Sequence, residues 1–214
     1  MDKFYFDIGA NDGRSMIDRA YEENSVVYAF EPTPQLAQKL RENYGHLSNY
    51  YIIPKAVSDY EGVSTFNISG HADWGCSSLC HFQKSDTLKR TWPGRTDFGV
   101  TQSVEVDVIR LDTFIKNLRG NGIQINQIEY FHCDAQGKDL EVLMGMGKEL
   151  DIVKRGVIEM PTSHLSKLYT DQHYIDKDAI EFLENRGFRI DSVDSNDAQR
   201  NEVNIHFVNV KIDT

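Results

Sequence analysis

Four short apolar runs in this chain each stop at an acidic residue: Phe4–Phe6 at Asp7, Val26–Phe30 at Glu31, Ile128–Cys133 at Asp134 and Val157–Ile158 at Glu159. Between them lie amphipathic stretches at helical spacing, such as Leu36, Ala37 and Leu40, or Leu140, Leu143 and Met144. Strands that alternate with helices build a mostly parallel sheet through crossover connections. The expected fold class is therefore α/β. In open sheets of this kind ligands bind in the crevice at the carboxyl ends of the strands, where these acids stand.

The chain has 214 residues, 40% of them hydrophobic, enough for one well-buried core, so residues 1–214 read as a single domain. A first helix is expected to bury Met16, Ile17, Ala20 and Tyr21. Thr33 can cap a second, with Pro34 at its first position. Tyr50 to Val57 reads as one strand that bends or starts late at Pro54. From Asp59 to Ser103 periodicity weakens, and a stretch this long is expected to hold strands of its own or do functional work. Val104–Ile109 alternates as a strand, Leu111–Leu118 as a short helix. A helix with Ile180, Phe182 and Leu183 stops at Gly187, before a closing strand pair, Phe188–Val193 and Val203–Val210. The chain starts only a few residues before its first strand, so one domain cut from a longer polypeptide is expected.

Composition removes several function classes. A formal net charge of -10 argues against binding bare nucleic acid, which depends on clustered Lys and Arg. No apolar run reaches transmembrane length and the N-terminus lacks a signal-peptide layout, so a soluble, cytoplasmic protein is expected. Three cysteines are too few and too oddly numbered for a disulfide framework. His71, Cys76, Cys80 and His81 raise a zinc site, but their spacing fits no common ligand pattern, and they read as ordinary loop residues. No metal site is assigned.

The loop Asp7-Ile8-Gly9-Ala10-Asn11-Asp12-Gly13 joins a strand to a helix and so turns backbone N–H groups toward a ligand. Gly9 and Gly13 let the main chain approach closely. The pattern is D-x-G-x-x-x-G. A dinucleotide site reads G-x-G-x-x-G and needs no leading carboxylate, which disfavours an oxidoreductase. Asp7 suits a cofactor with a positive amino group. Glu31 follows 24 positions after Asp7, close to the spacing of about 20 residues at which a carboxylate meets ribose hydroxyls.

With these residues the sequence resembles the FkbM-type methyltransferases. The matching segments are FDIGANDG (6–13), AFEPTP (29–34), KAVSDYEG (55–62), SSL (77–79), VDVIRLDTFI (106–115), HCDAQGKDLEVLMG (132–145) and GVIE (156–159). The resemblance implies a Rossmann-like class I fold dependent on S-adenosylmethionine (SAM), a seven-stranded sheet with helices on both faces, and usually O-methylation. It implies that the loop of Asp7, Gly9, Ala10, Asn11, Asp12 and Gly13 surrounds the methionine part of SAM. Glu31 and Pro32 would meet the ribose, and Ala56, Val57 and Ser58 the adenine edge, with Asp134 as a further cofactor-binding residue. Where the family often has D-x-E-G-x-E, this chain has Asp134, Gln136 and Asp139, so the acid at the Gln136 position is absent. The segments 64–103 and 161–177 match little and are expected to select the substrate, with Trp74, Ser77, Ser78, Gln136 and Lys138 as candidate contacts.

A sugar or alcohol hydroxyl has a high pKa and needs a general base. Asp134 and Glu159 are candidates from strand ends, and His164 from its ordinary pKa of about 6.5. A magnesium-assisted route is the rival. The catechol-type methyltransferases place an Asp-Asn pair after the later strand, where this chain has Glu159-Met160. His71, Trp74, Trp92 and Tyr169 are candidates for an acceptor wall, with core packing as the equal alternative for the two tryptophans. Because such domains occur in polysaccharide and natural-product pathways, sometimes fused to glycosyltransferases, the expected partner is a sugar hydroxyl on a glycan, with a deoxyhexose such as rhamnose as the refinement. A natural-product O-methyltransferase and a non-catalytic SAM-binding module are the alternatives.

Overall fold

The computed structural model describes residues 2–70, 75–95 and 98–212. In chain order the elements are β1 (Lys3–Ile8), a 3-10 helix (Ile17–Tyr21), β2 (Ser25–Phe30), α1 (Pro34–Tyr44), β3 (Tyr50–Ile53), β4 (Ala56–Val57), β5 (Gly62–Ser69) and α2 (Ser85–Thr91). There follow β6 (Val100–Ile109), α3 (Leu111–Gly120), β7 (Ile128–Cys133), α4 (Asp139–Gly145), a second 3-10 helix (Gly147–Ile152), β8 (Arg155–Pro161), α5 (Asp176–Asn185), β9 (Phe188–Ser195) and β10 (Glu202–Asn209).

The seven-stranded sheet has the order β3-β2-β1-β7-β8-β10-β9. All its neighbours are parallel except β10, which runs antiparallel to both β8 and β9. Strand alternation explains why both faces are covered. Phe4, Phe6, Ile8, Tyr28 and Phe30 enter one buried cluster, and Tyr5, Val27 and Ala29 the other. On the first face α3 brings Phe114 edge-on to Phe6, Tyr28 and Phe30, with ring centroids 6.2, 5.4 and 5.1 Å away. On the second, α1 buries Leu40 against Tyr5 and Tyr50. Each such side chain contributes about 1.5–3 kcal/mol by leaving water. The strand order reverses between β1 and β7, and a crevice opens there at the carboxyl ends.

Two sequence expectations change and a third is met. Tyr50–Val57 is two strands in two sheets, because Pro54 has no N–H for the ladder and Lys55 N–H turns back onto the Ile53 carbonyl at 2.8 Å. The helix after Gly13 shrinks to the 3-10 segment, since residues 9–16 are spent on turns around the crevice. Met16 and Ala20 are buried as expected, whereas Tyr21 is 65% exposed. The segment 64–103 does hold strands: β5 and β6 pair antiparallel over nearly their full length, and β4 joins β6 to complete a three-stranded sheet beside the crevice. Among the described residues no helix is long and apolar enough to cross a membrane.

Gly156 shows how tightly the sheet centre is packed. A Cβ there would lie 2.5 Å from the Phe207 ring and 2.7 Å from the Phe131 carbonyl oxygen, whereas one at Gly99 would meet nothing within 4 Å. Gly156→Ala is expected to lower stability by about 1–3 kcal/mol in urea unfolding, and Gly99→Ala to change it by less than about 0.5 kcal/mol. Equal effects at the two positions would contradict this account of the packing.

Candidate active site

The loop after β1 folds over the crevice through three residues at positive φ: Gly9 (77°), Asn11 (49°) and Gly13 (86°). A Cβ on Gly9 would collide with the Asp134 carbonyl oxygen, so glycine lets β1 and β7 close on each other at the head of the crevice. Asn11 is the kind of non-glycine residue that tolerates this conformation. Its N–H donates to Glu31 Oε2 at 2.8 Å, and the Thr33 N–H donates to Glu31 Oε1 at 2.8 Å. One buried carboxylate thus braces the loops that follow β1 and β2. Burial pushes the Glu31 carboxyl up to about 7 against the pull of those donors.

A cleft with about 550 Å³ of empty space, the open solvent at its mouth included, runs along these loops. Gly9, Asn11, Glu31 and Pro32 line one side; Ala56 and Val57 line another, with Phe66 and Leu79 giving it an apolar wall. Ser77, Asp134 and Gln136 close its far end.

Other expected residues lie behind the wall. Asp7 is wholly buried, and its Oδ1 is 2.8 Å from Nδ1 of His132, while Oδ2 has no partner among the described residues. Desolvation pulls the His132 pKa down, but the Asp7 hydrogen bond and the carboxylates of Asp7, Asp134 and Asp139 outweigh it, and the net shift is upward. Ala10 packs into the second-face cluster, and Gly13 against Tyr44, Leu40 and Tyr50. Asp12 pairs with Arg14 at 2.6 Å near the surface. Ser58 is fully buried, and its N–H donates to the Ile109 carbonyl. Ser78 donates to the Gln136 carbonyl at 2.6 Å and so holds the turn after β7. Lys138 pairs with Glu141 at 3.1 Å and lines neither this cleft nor its neighbour.

That neighbour, a second cavity of about 500 Å³, meets the cleft at Gly75, Asp134 and Gln136. Glu159 and Glu202 line it, with Asn196, Arg95 and Trp92. The Gln136 side chain is its hub. Its amide NH2 donates to Asp134 Oδ1 at 2.6 Å and Glu159 Oε2 at 3.2 Å, and its Oε1 lies 2.8 Å from the Tyr169 hydroxyl. Asn196 Nδ2 donates to the other Glu159 oxygen. Burial, then mutual repulsion with neighbouring carboxylates, raises the pKa of Glu159 and carries Glu202 to about 8. Asp134 is also raised, chiefly by burial, against the pull of the Gln136 amide and His132. Beneath them Asp139, also at about 8, accepts from the Ala135 N–H at 3.2 Å.

The structure therefore gathers Asp134, Glu159 and Gln136 and leaves His164 on an exposed turn, lining neither cavity. Trp92 lines the second cavity and donates its indole N–H to the Ser166 carbonyl at 3.0 Å, while Tyr169 is buried behind Gln136. His71 and Trp74 lie outside the described residues. Among the described residues no three His, Cys, Asp or Glu side chains converge as a metal site. Cys80 is buried, its thiol pushed up to about 12 by burial, and His81 pairs with Asp171. Sequence reasoning missed His132, Asn196 and Glu202. The last two come from the β9–β10 hairpin, which places Asn204 opposite Glu159 and Glu202 opposite Pro161.

These shifts share one sign. A group that holds its proton more tightly when folded stabilises the fold at low pH and loses that advantage as pH rises through its folded pKa. For Glu31, Asp139 and Glu202 the loss runs from the unfolded carboxyl range near 4 up to about 7, 8 and 8, and the raised His132 adds to it. The ligand-free protein is expected to melt several degrees higher near pH 5.5 than near pH 8.5 in calorimetry, with Asp139→Asn narrowing the gap. A midpoint that rises with pH would contradict the burial of these acids.

Comparison with known proteins agrees with the geometry. The family described as the methyltransferase FkbM domain matches residues 7–190. The 2-O-methyltransferase NoeI of Sinorhizobium fredii is 29% identical over 155 residues, 69% of this chain and 58% of that protein, so the chain spans less than two thirds of this relative. Among solved structures, Aeropyrum pernix fibrillarin with natively bound S-adenosyl-L-methionine superposes with a TM-score of 0.50 at 10% identity, over 97% of this chain and 66% of that one. At that identity the likeness speaks for the fold alone. With 7–190 matched and the sheet order in place, the chain belongs to the FkbM family of SAM-dependent methyltransferases.

Proposed function

We propose that this chain transfers the methyl group of SAM to a hydroxyl of a sugar in a glycan. The single observation that carries this reading is the pair of cavities meeting at Asp134: one suited to a nucleoside, the other walled by carboxylates and amides. The first fits SAM on three counts. Glu31 offers a carboxylate to ribose hydroxyls, the absence of a Cβ at Gly9 lets the loop close against the backbone after β7 at the head of the cleft, and Phe66 and Leu79 give a planar base an apolar wall. Bound SAM supplies an electrophilic methyl on a sulfonium leaving group.

The chain's own work is alignment and proton removal. Asp134 lines both cavities and takes the hydroxyl proton as the new bond to the methyl carbon forms; Gln136 holds that carboxylate in place through its amide. Its raised pKa strengthens it as a base. Glu159 and Asn196 give the acceptor side acceptors and donors suited to a polyol. The O-methyl specificity in the relative's name supports a hydroxyl acceptor. A deoxyhexose such as rhamnose is the first acceptor to test, and such an enzyme would work alongside glycosyltransferases.

Purified protein with SAM is expected to release S-adenosylhomocysteine with one or more of a panel of glycans; release with a polyketide alcohol and with none of the glycans would overturn the sugar assignment. Glu31→Ala is expected to weaken SAM about tenfold or more by calorimetry, because ribose loses a charged acceptor. Asp134→Asn is expected to lower kcat by about 10²–10⁴ at saturating SAM, and to flatten the acid limb along which the wild type loses rate as pH falls. His164→Ala is expected to leave both constants unchanged.

A further inference from the structure

Glu202 stands apart from the other acids of the second cavity. Gln136 donates to Asp134, and Gln136 and Asn196 donate to Glu159. Asp139, below, takes backbone N–H groups from Ala135 and Glu159. The Glu202 carboxyl lines the same cavity with only 7% of the residue exposed, and among the described residues no donor is hydrogen-bonded to it. Its backbone is fully engaged, N–H to Asp197 Oδ2 at 2.9 Å and carbonyl from the Asn196 N–H at 2.9 Å. The hairpin therefore fixes where the side chain starts, and the side chain lines the cavity. A carboxyl on a cavity wall with no donor from the protein is a candidate for meeting a ligand.

We propose that Glu202 is an acceptor-binding residue, whose carboxylate receives a hydrogen bond from a sugar hydroxyl other than the one that is methylated. This rests on the sugar reading above. Two features favour a neutral polyol donor here. The opposite wall supplies amides and a tryptophan face, which suit hydroxyls and C–H surfaces, and Arg95 lines the same cavity and lowers the cost of the Glu202 charge. Asp134 sits where the cavities meet, and Glu202 lines only the second, so Glu202 selects which hydroxyl is presented to the base and does not take the proton. The residue also lies beyond residues 7–190 that match the family, in the last strand of the sheet. Acceptor choice would then be set partly by a hairpin that lies apart from the cofactor loops in the chain.

The test compares wild type with Glu202→Gln at pH 9, above the value of about 8 to which burial carries Glu202, so that the substitution keeps the shape and removes the charge. The probes are methyl glycosides of rhamnose, glucose and galactose and their monodeoxy derivatives. Two readouts are used: steady-state methylation, and binding of the glycosides to the S-adenosylhomocysteine complex by saturation-transfer NMR and calorimetry. Expected for Glu202→Gln are an acceptor KM and Kd raised about tenfold, kcat within about threefold and SAM affinity unchanged. In wild type, one monodeoxy glycoside should show the same loss, and in Glu202→Gln that glycoside should show no further loss. Glu202→Asp should recover part of the affinity. Sugar binding that is equal in wild type and Glu202→Gln, additive losses with every monodeoxy probe, or no sugar binding by wild type would each overturn the inference. Glu202-dependent binding without turnover would uphold it and overturn the methyl-transfer reading instead.

Discussion

Two backbone N–H groups, one from Asn11 and one from Thr33, end on the two oxygens of the Glu31 carboxylate. Those bonds join the loop after β1 to the loop after β2, and the crevice exists between them. Asn11 can reach Glu31 because it adopts positive φ, and the loop can bend that far because Gly9 passes directly beneath the Asp134 carbonyl. Glycine at position 9 and glutamate at position 31 are thus parts of one arrangement. Either one altered would shift the floor of the cleft against the end of β7, where the chemistry is placed.

That arrangement gathers negative charge in a sheet interior. Asp7, Glu31, Asp134, Asp139, Glu159 and Glu202 stand at or near strand ends on one side of the sheet, and those with resolved shifts are moved toward the protonated form by burial. The site offers only partial internal compensation: His132 against Asp7, the Gln136 amide between Asp134 and Glu159, and the charge of Arg95. The cationic sulfonium of SAM supplies the positive charge that the empty protein lacks, which is a physical reason for the acids to be tolerated.

The parts of this site that were legible in the sequence are those written in local pattern. Apolar runs ending in Asp7, Glu31, Asp134 and Glu159 marked the strands, although β1 runs one residue beyond Asp7 and β8 two residues beyond Glu159, and the glycines marked the turn. Pro54 warned of a bend, though not that Ala56 and Val57 would join a different sheet. What could not be read depends on pairing between distant segments. Asp7 was expected to face a cofactor amine, yet its carboxylate turns to His132, a partner 125 positions away. Lys138 and His164 have suitable chemistry, but helix phase and an exposed turn keep them out of both cavities. Glu202 and Asn196 follow only from hairpin register, in which a slip of one residue would turn each to the other face.

The placement of β10 has a consequence for how the molecule is made. Synthesis runs from the N-terminus, and the residues that line the first cleft, all between Ile8 and Gln136, emerge well before the hairpin. Yet β10 is not an edge strand: it slots between β8 and β9, two strands that precede it in the chain. Until it arrives, β8 has an open edge where seven residues of ladder will later form, from Arg155 to Pro161. The nascent chain therefore acquires the surface of the first cleft before the lining of the second cavity is complete. Occupation of that early surface by a nucleoside would favour the half-built sheet over misregistered alternatives while β10 is still awaited.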